Sequence, residues 1–207
     1  LQWNVNPNAS ITTSIHYLND NSDMLVRSMG VDSVDRNGFS PSDNDPFTVD
    51  ANFGAGGSKA DIKGIGGYLR FAANIGAGQL VMLTGYESIK RILPFEDSSP
   101  WRIIDQLFDE DMREISQEIR FTLAPNERWL WIIGGYYGRE NFSLRKDVNA
   151  LDAILRTNVR TDFDQNSRNW TTFAQLEWSM SETLRIKAGL RHSHDFKSYA
   201  GGTFLPV

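Results

Sequence analysis

Alternation of apolar and polar residues with a period of two is the feature that most constrains the fold of this chain. It is plainest from Glu114 to Leu123, where Ile119 and Phe121 alternate with Glu118 and Arg120. Successive side chains of a β-strand point to opposite faces, so this pattern predicts strands with one apolar and one polar face. The eight predicted strands lie at about residues 1–6, 10–17, 65–74, 79–91, 115–123, 129–137, 170–178 and 184–191.

The connections between these strands alternate in length. Short turns rich in Pro, Asn, Gly and Ser occur at residues 7–9, 75–78, 124–128 and 179–182, and long excursions are expected at residues 20–63, 97–113 and 140–167. Loops this long are uncommon in compact soluble domains. The short-long order is typical of an antiparallel up-and-down transmembrane β-barrel with tight periplasmic turns and long extracellular loops.

Aromatic and charged residues agree with this interpretation and leave one alternative open. Seven aromatic residues lie toward strand ends, as in an interfacial girdle, although in a soluble sandwich they would fill the core. They are Trp3, Tyr17, Trp129, Tyr136, Tyr137, Trp170 and Trp178. The charged residues Glu114, Glu118, Arg120, Arg185, Lys187 and Arg191 occupy the polar positions. So many charges must face water, which is either bulk solvent or the lumen of a large barrel.

Composition sets further bounds. The 207 residues are 40% hydrophobic, which is enough for a single folded domain. No run of roughly 18 apolar residues occurs, so a spanning helix is excluded, whereas barrel strands alternate and keep a low mean hydropathy. The absence of cysteine excludes thiol chemistry, disulfides and Cys-ligated metals. The net charge of −5 argues against a nucleic-acid partner.

Five segments in series resemble successive barrel strands of TonB-dependent outer-membrane receptors. They are Leu80–Tyr86, Glu114–Phe121, Trp131–Tyr137, Trp170–Trp178 and Leu184–Lys197. The resemblance implies a barrel of about 22 strands, closed by an N-terminal plug and energised by the inner-membrane TonB complex. It also implies uptake of iron-siderophore chelates, cobalamin or similar nutrients across the outer membrane of a Gram-negative bacterium. Outer-membrane lipid, the nutrient and, through the plug, the TonB complex are the implied partners.

Against that family, residues 1–207 are interpreted as part of the barrel domain without the plug. The chain starts with Leu1 already in a strand pattern, and residues 201–207 follow a strand without a terminating signal. Strands cut from a larger barrel would leave unpaired edges and an apolar outer face. We therefore expect the isolated chain not to fold stably by itself.

Candidate sites for chemistry are weak, and no catalytic, cofactor-binding or metal-binding residue is predicted. The acidic stretch from Asp20 to Asp61 lacks the glycine and terminal glutamate of a calcium loop, so a solvated loop is favoured. Residues 54–59 fail the spacing of a phosphate loop. His192 and His194 share one side of an extended segment, but no third ligand is identifiable.

The remaining polar candidates have structural interpretations. His16 lies on the polar face of its strand and is expected in the lumen. Glu114 and Glu118 are about 13 Å apart by strand rise, which is too far for acid-base partnership. The chain is therefore predicted not to be an enzyme, and no cofactor is expected. The ligand-binding residues remain unassigned by the sequence.

Three hypotheses for function follow. The leading one is a section of a nutrient-uptake receptor, with ligand contacts expected in residues 101–113 and in the loop from Asn141 to Asn169. The second is a self-contained eight-stranded outer-membrane barrel with a structural or adhesion role. The third is a soluble β-sandwich that binds carbohydrate. They differ in whether the apolar rows meet lipid or a second layer of the same molecule.

Overall fold

The described part of the protein is built from β-strands alone. A computed structural model of the chain describes residues 1–24, 26–28, 57–99, 104–150 and 157–205, and no helix occurs among them. The strands are β1 (Gln2–Asn6), β2 (Ala9–Asp20), β3 (Val26–Ser28), β4 (Asp61–Ile75), β5 (Gly78–Ser99), β6 (Ile104–Asn126), β7 (Trp129–Ala150), β8 (Thr157–Ser179) and β9 (Arg185–Phe204).

All strands belong to one sheet in the order β1-β2-β4-β5-β6-β7-β8-β9. Each neighbouring pair in this order is antiparallel, so the predicted up-and-down arrangement of eight strands is confirmed. The short β3 adds a parallel pairing to β5, at Glu96 and Ser99. In the described residues β1 and β9 form the two open edges, and the sheet is not closed into a barrel.

The predicted short turns all lie at one edge of the sheet, which we call the turn edge. Two residues connect β4 to β5, and Gly76 there has a φ of +60°, a conformation that glycine adopts without a steric penalty. In two other turns an asparagine side chain accepts a hydrogen bond from the backbone N–H two residues later, Asn6 from Asn8 at 2.8 Å and Asn126 from Arg128 at 3.0 Å. Such bonds stabilise tight turns locally.

The expected long excursions at residues 97–113 and 140–167 are wrong. β5 and β6 remain paired up to Glu96 opposite Asp105, and β7 and β8 up to Ala150 opposite Thr157. Most residues of these two stretches instead continue the strands, although many of them are charged. Of the expected excursion at residues 20–63, residues 29–56 lie outside the described part, and β4 begins at Asp61.

The sheet has almost no buried apolar core. Among the described residues only Ala60, Ala72 and Val81 are buried hydrophobics, and no second layer covers either face. The two faces nevertheless differ. From residue 163 to residue 174 of β8, every odd-numbered residue is half-buried or buried and every even-numbered residue is exposed. This difference indicates that the sheet curves toward the face of the odd-numbered β8 residues.

Candidate functional site

The pairing register assigns every strand residue to one of two faces, because directly opposite residues share a face. We call one the Trp face, since it carries all the described tryptophans: Trp3, Trp129, Trp131, Trp170 and Trp178. We call the other the Glu face, since it carries Glu87, Glu114, Glu118 and Glu140. The Glu face is the more sheltered one, so the Trp face is convex.

The half of the Trp face nearer the turns is a continuous apolar surface, the apolar belt. Its larger members are Ile11, Ile15, Ile65, Leu69, Phe71, Leu80, Met82, Ile115, Ile119, Phe121, Trp131, Ile133, Leu176, Ile186 and Leu190. Even in the middle of the sheet these side chains are open, with Leu69 50% and Ile133 55% exposed. The belt also has polar members, among them Thr84 and Gln117, which are joined by a 2.6 Å hydrogen bond.

The belt is too large for an ordinary soluble surface. On β7 it runs from Trp129 to Tyr137, about 26 Å along the strand, and eight strands spaced about 4.8 Å apart give it a width of about 34 Å. Soluble monomers rarely expose contiguous apolar patches above a few hundred Å². A belt height of about 25 Å is characteristic of the lipid-facing surface of outer-membrane barrels.

Aromatic rows border the belt on both sides. Trp3, Trp129 and Trp178 lie at the turn edge, where the last two stack with ring centroids 5.3 Å apart. Tyr17, Tyr86, Tyr137 and Trp170 form the far row. Aromatic residues therefore border the apolar belt on the Trp face, and two details differ from the expected placement at strand ends. Tyr136 points to the Glu face, and Tyr137 and Trp170 lie in the middle of long strands instead of at their ends.

Neither aromatic row runs straight across the sheet, perpendicular to the strands. The ladder that starts at Tyr17 meets β8 at Asn166, whereas Trp170 lies four residues nearer the turns. This offset is about 13 Å along the strand over a distance of about 24 Å across the sheet, so the row is inclined by about 30°. From Trp3 to Trp178 the offset is six residues in the same direction, a slope of about 35°. Strands of membrane barrels are tilted by a similar angle, about 35–45°, relative to the membrane normal.

The turn-proximal half of the Glu face is polar. Glu87, Glu114 and Glu140 lie directly opposite one another on three adjacent strands. His16 reaches Glu87 across β4, with its Nε2 atom 3.1 Å from Oε1, because Gly66 stands between them and has no side chain. As the sequence predicts, His16 therefore lies on the polar face, and Glu114 and Glu118 lie four residues apart on one strand.

The two faces exchange polarity in the half of the sheet away from the turns. On the Trp face, Arg145 pairs with Asp162 at 3.3 Å and Arg160 with Asp147 at 2.7 Å. Asp147 also raises the pKa of Arg160 by accepting its hydrogen bond. The Glu face instead carries aromatic contacts in this half, among them Phe95 with Phe108 at 5.3 Å.

The metal-site candidates do not form a site. His192 and His194 share the Trp face, as expected, and both lie against Trp170, with ring centroids 5.2 and 5.9 Å apart. Among the described residues no group of three or more His, Cys, Asp or Glu side chains is arranged to hold a metal ion. Most of the acidic stretch from Asp20 to Asp61 and residues 54–56 lie outside the described residues.

The segments in which ligand contacts are expected are strands in the structure, where loops were predicted. Residues 104–113 belong to β6, and residues 141–150 and 157–169 belong to β7 and β8, so they are strand surfaces and not loops.

No protein-family model, curated protein or solved structure matches this chain. In the part of the chain that the structure describes, no helix is long and apolar enough to cross a membrane.

Proposed function

We propose that this sheet is a section of the wall of a transmembrane β-barrel in the outer membrane of a Gram-negative bacterium. The Trp face meets lipid and the Glu face lines the lumen. The observation that carries the proposal is the apolar belt, about 26 Å long, with an aromatic row on each side and a common slant of about 30–35°. A docking surface for a protein partner would not require an aromatic row on each side or a common slant of the two rows.

The open edges of the sheet add a requirement to this proposal. β9 is 20 residues long and pairs on one side only among the described strands. Unpaired N–H and C=O groups are strongly unfavourable in lipid, so a lipid-embedded β9 requires another strand beside it. The proposal therefore includes further strands that continue the wall beyond β1 and β9.

We further propose that the complete barrel is a TonB-dependent receptor for iron-siderophore chelates or similar scarce nutrients. The supporting features are the strand segments that resemble this family and the polar inner face. The length of β5 to β8, 22 or 23 residues each, adds to them. About 9–11 residues suffice to span a bilayer, so more than half of each strand projects beyond it. Such projections form the walls of an external ligand vestibule.

The other hypotheses have less support. A closed eight-stranded barrel would pair β1 with β9, whereas the described strands leave both of these edges open. A soluble sandwich would cover the Trp face with a second sheet, and no described residue does so. The belt would then be left in water.

Accessibility scanning of the complete protein in lipid vesicles tests the membrane assignment. Because the chain has no cysteine, single cysteines at residues 130–145 of β7 can each carry a spin label. Collision rates with oxygen, which partitions into lipid, and with a water-soluble nickel complex are then compared. We expect oxygen to dominate at Ile133 and nickel at the adjacent Ile132, with Ser143 on the Trp face as the aqueous control. Nickel access at Ile133 equal to that at Ser143 would refute the assignment.

Transport is tested separately in cells. We expect uptake of iron from a panel of hydroxamate and catecholate iron chelates to require the complete protein and to stop when a protonophore collapses the proton gradient. Uptake that persists without the gradient would exclude energised transport, even if the membrane assignment holds.

A further inference from the structure

A row of basic residues follows the far edge of the apolar belt. On four strands the residue two positions beyond the last belt residue is basic: Lys63 beyond Ile65, Arg113 beyond Ile115, Arg139 beyond Tyr137 and Arg168 beyond Trp170. We call these four residues the basic row. It lies on the Trp face and follows the slant of the aromatic row. No acidic residue occupies the equivalent position on β2, β5 or β9, where Asn19, Ser88 and Phe196 stand.

Two members of the basic row face each other. Arg139 and Arg168 are directly opposite in the β7–β8 ladder, so their Cβ atoms are about 5 Å apart. Both are exposed, and neither has an ion pair with another described residue. Like charges in directly opposite positions destabilise a sheet. The other two members are already paired with carboxylates on their own strands, Lys63 with Asp61 at 3.0 Å and Arg113 with Asp111 at 3.2 Å.

The surroundings of the Arg139–Arg168 pair favour an anionic headgroup with an apolar tail. Toward the turns the pair borders the rings of Tyr137 and Trp170, and along its own row it lies between Ile115 and Phe196. On the other side the next opposite pair is uncharged, Asn141 with Asn166. A ligand here meets two guanidinium groups at one end and the apolar belt at the other.

We propose that Arg139 and Arg168 bind a phosphate group of the phosphorylated glycolipid in the outer leaflet. This inference rests on the proposed membrane orientation. Guanidinium groups bind phosphate oxygens through paired, charge-assisted hydrogen bonds, and two of them at this spacing can share one phosphate. The bound anion removes the repulsion between the arginines, and the acyl chains continue along the belt.

The same two strands supply a matched control. Arg145 and Arg160 also lie on the Trp face of β7 and β8, farther from the belt, and their charges are paired with Asp162 and Asp147. The binding variant is therefore the double substitution Arg139→Gln with Arg168→Gln. The control is Arg145→Gln with Arg160→Gln, which removes the same number of positive charges.

The experiment uses the complete protein in detergent with defined amounts of purified phosphorylated lipid A, and counts bound lipid by native mass spectrometry. We expect the binding variant to bind the lipid roughly 10- to 30-fold more weakly, from the usual contribution of each basic residue near an anionic surface. The control variant should bind within about twofold of the unmodified protein. If both variants lose the same affinity for the lipid, the effect comes from the total positive charge of the protein, and the inference is overturned.

A second arm uses the unmodified protein and does not depend on a variant that folds. Dephosphorylated lipid A should bind roughly 10- to 30-fold more weakly than the phosphorylated form. Equal binding of the two forms would overturn a phosphate site. Saturation by inorganic phosphate alone, with no preference for lipid, would identify a free-anion site instead. If nickel access at Ile133 equals that at Ser143, the membrane assignment fails. If Ile133 is lipid-exposed but lipid A is not retained, only this inference fails.

Discussion

The turn-proximal and turn-distal halves of this sheet use the same strands in opposite ways. Near the turns the Trp face is apolar and the Glu face carries carboxylates. Beyond the basic row the Trp face carries ion pairs such as Arg145 with Asp162, and the Glu face carries the stacked rings of Phe163 and Tyr199, 6.3 Å apart. In the proposed membrane orientation, one continuous backbone ladder passes through two environments, and the exchange of polarity marks the boundary between them.

The comparison teaches that alternation alone does not identify a lipid-facing strand. Both halves alternate with a period of two, but only the proximal half places its apolar residues on the convex side. In the distal half the apolar residues are on the sheltered side, as in a strand surrounded by water. Matched positions in the two halves should therefore respond differently to the same kind of substitution.

The largest effect is expected for a charge placed in the middle of the belt. Ala174 lies opposite Ile133 on the Trp face. An arginine in the middle of a lipid-facing surface costs about 2–4 kcal/mol, and near the interface about 0–1 kcal/mol. We expect Ala174→Arg to lower the free energy of unfolding of the complete protein in lipid vesicles by about 2–4 kcal/mol. Denaturant titration followed by tryptophan fluorescence measures the change.

The control for that prediction is Asn166→Arg, on the same face of the same strand but in the distal half. Its cost should be about 1 kcal/mol or less. Similar costs at the two positions would mean that both lie in water, and the distinction between the halves would be lost.

A smaller but clear effect is expected from two adjacent glycines of β7. A Cβ atom at Gly134, on the Glu face, would lie 2.8 Å from the backbone oxygen of Ile119 and would also clash with the ring of Phe173. A Cβ atom at Gly135, on the Trp face, would meet the Thr171 oxygen at an ordinary 3.5 Å. We expect Gly134→Ala to destabilise the protein by about 1–3 kcal/mol because the backbone must shift.

Gly135→Ala is the matched control and should change stability by less than about 1 kcal/mol, since it adds a tolerated methyl group and restricts the unfolded chain. Both variants are measured by the same denaturant titration. If Gly135→Ala were the more destabilising of the two, the concave side would be the Trp face, contrary to the exposure pattern of β8.

The smallest effect is expected for the ion pair between Arg145 and Asp162. Both side chains are about half exposed, so the coupling energy should be about 0.2–1 kcal/mol and should decrease in high salt. A double-mutant cycle with Arg145→Gln and Asp162→Asn measures it. A coupling of several kcal/mol would place the pair out of water and would extend the lipid-facing region into the distal half.

Much of the proximal half could be predicted from the sequence. The alternation from Trp170 to Trp178 correctly assigned the two faces of β8, and Pro7-Asn8 and Gly76-Ala77 correctly predicted turns. The distal half is harder to predict from the sequence. Phe142 and Leu144 do continue the alternation of β7, but they lie on the opposite face from the apolar residues of the belt. Charged residues occupy the Trp face in this half, so the stretch resembles a loop.

The basic row could not be predicted from local sequence patterns. Arg139 and Arg168 are 29 positions apart, and nothing near either residue indicates the other. They meet because β7 and β8 pair without a register shift from Trp129 opposite Trp178 to Ala150 opposite Thr157. The loop conformation expected for residues 101–113 and for Asn141 to Asn169 is wrong for the same reason, since most of those residues are paired in strands.

Local sequence was sufficient for the turns, for the turn-proximal part of most strands and, where the alternation is clear, for their two faces, because side-chain alternation and turn conformation depend on neighbouring residues. The choice of which residues stand side by side across the sheet was made only in the folded sheet. That choice produced the slant of the aromatic rows, the opposite arginines and the open edges at β1 and β9. Strand pairing is a long-range interaction, and its register follows from the sum of many backbone hydrogen bonds and side-chain contacts between segments distant in the chain.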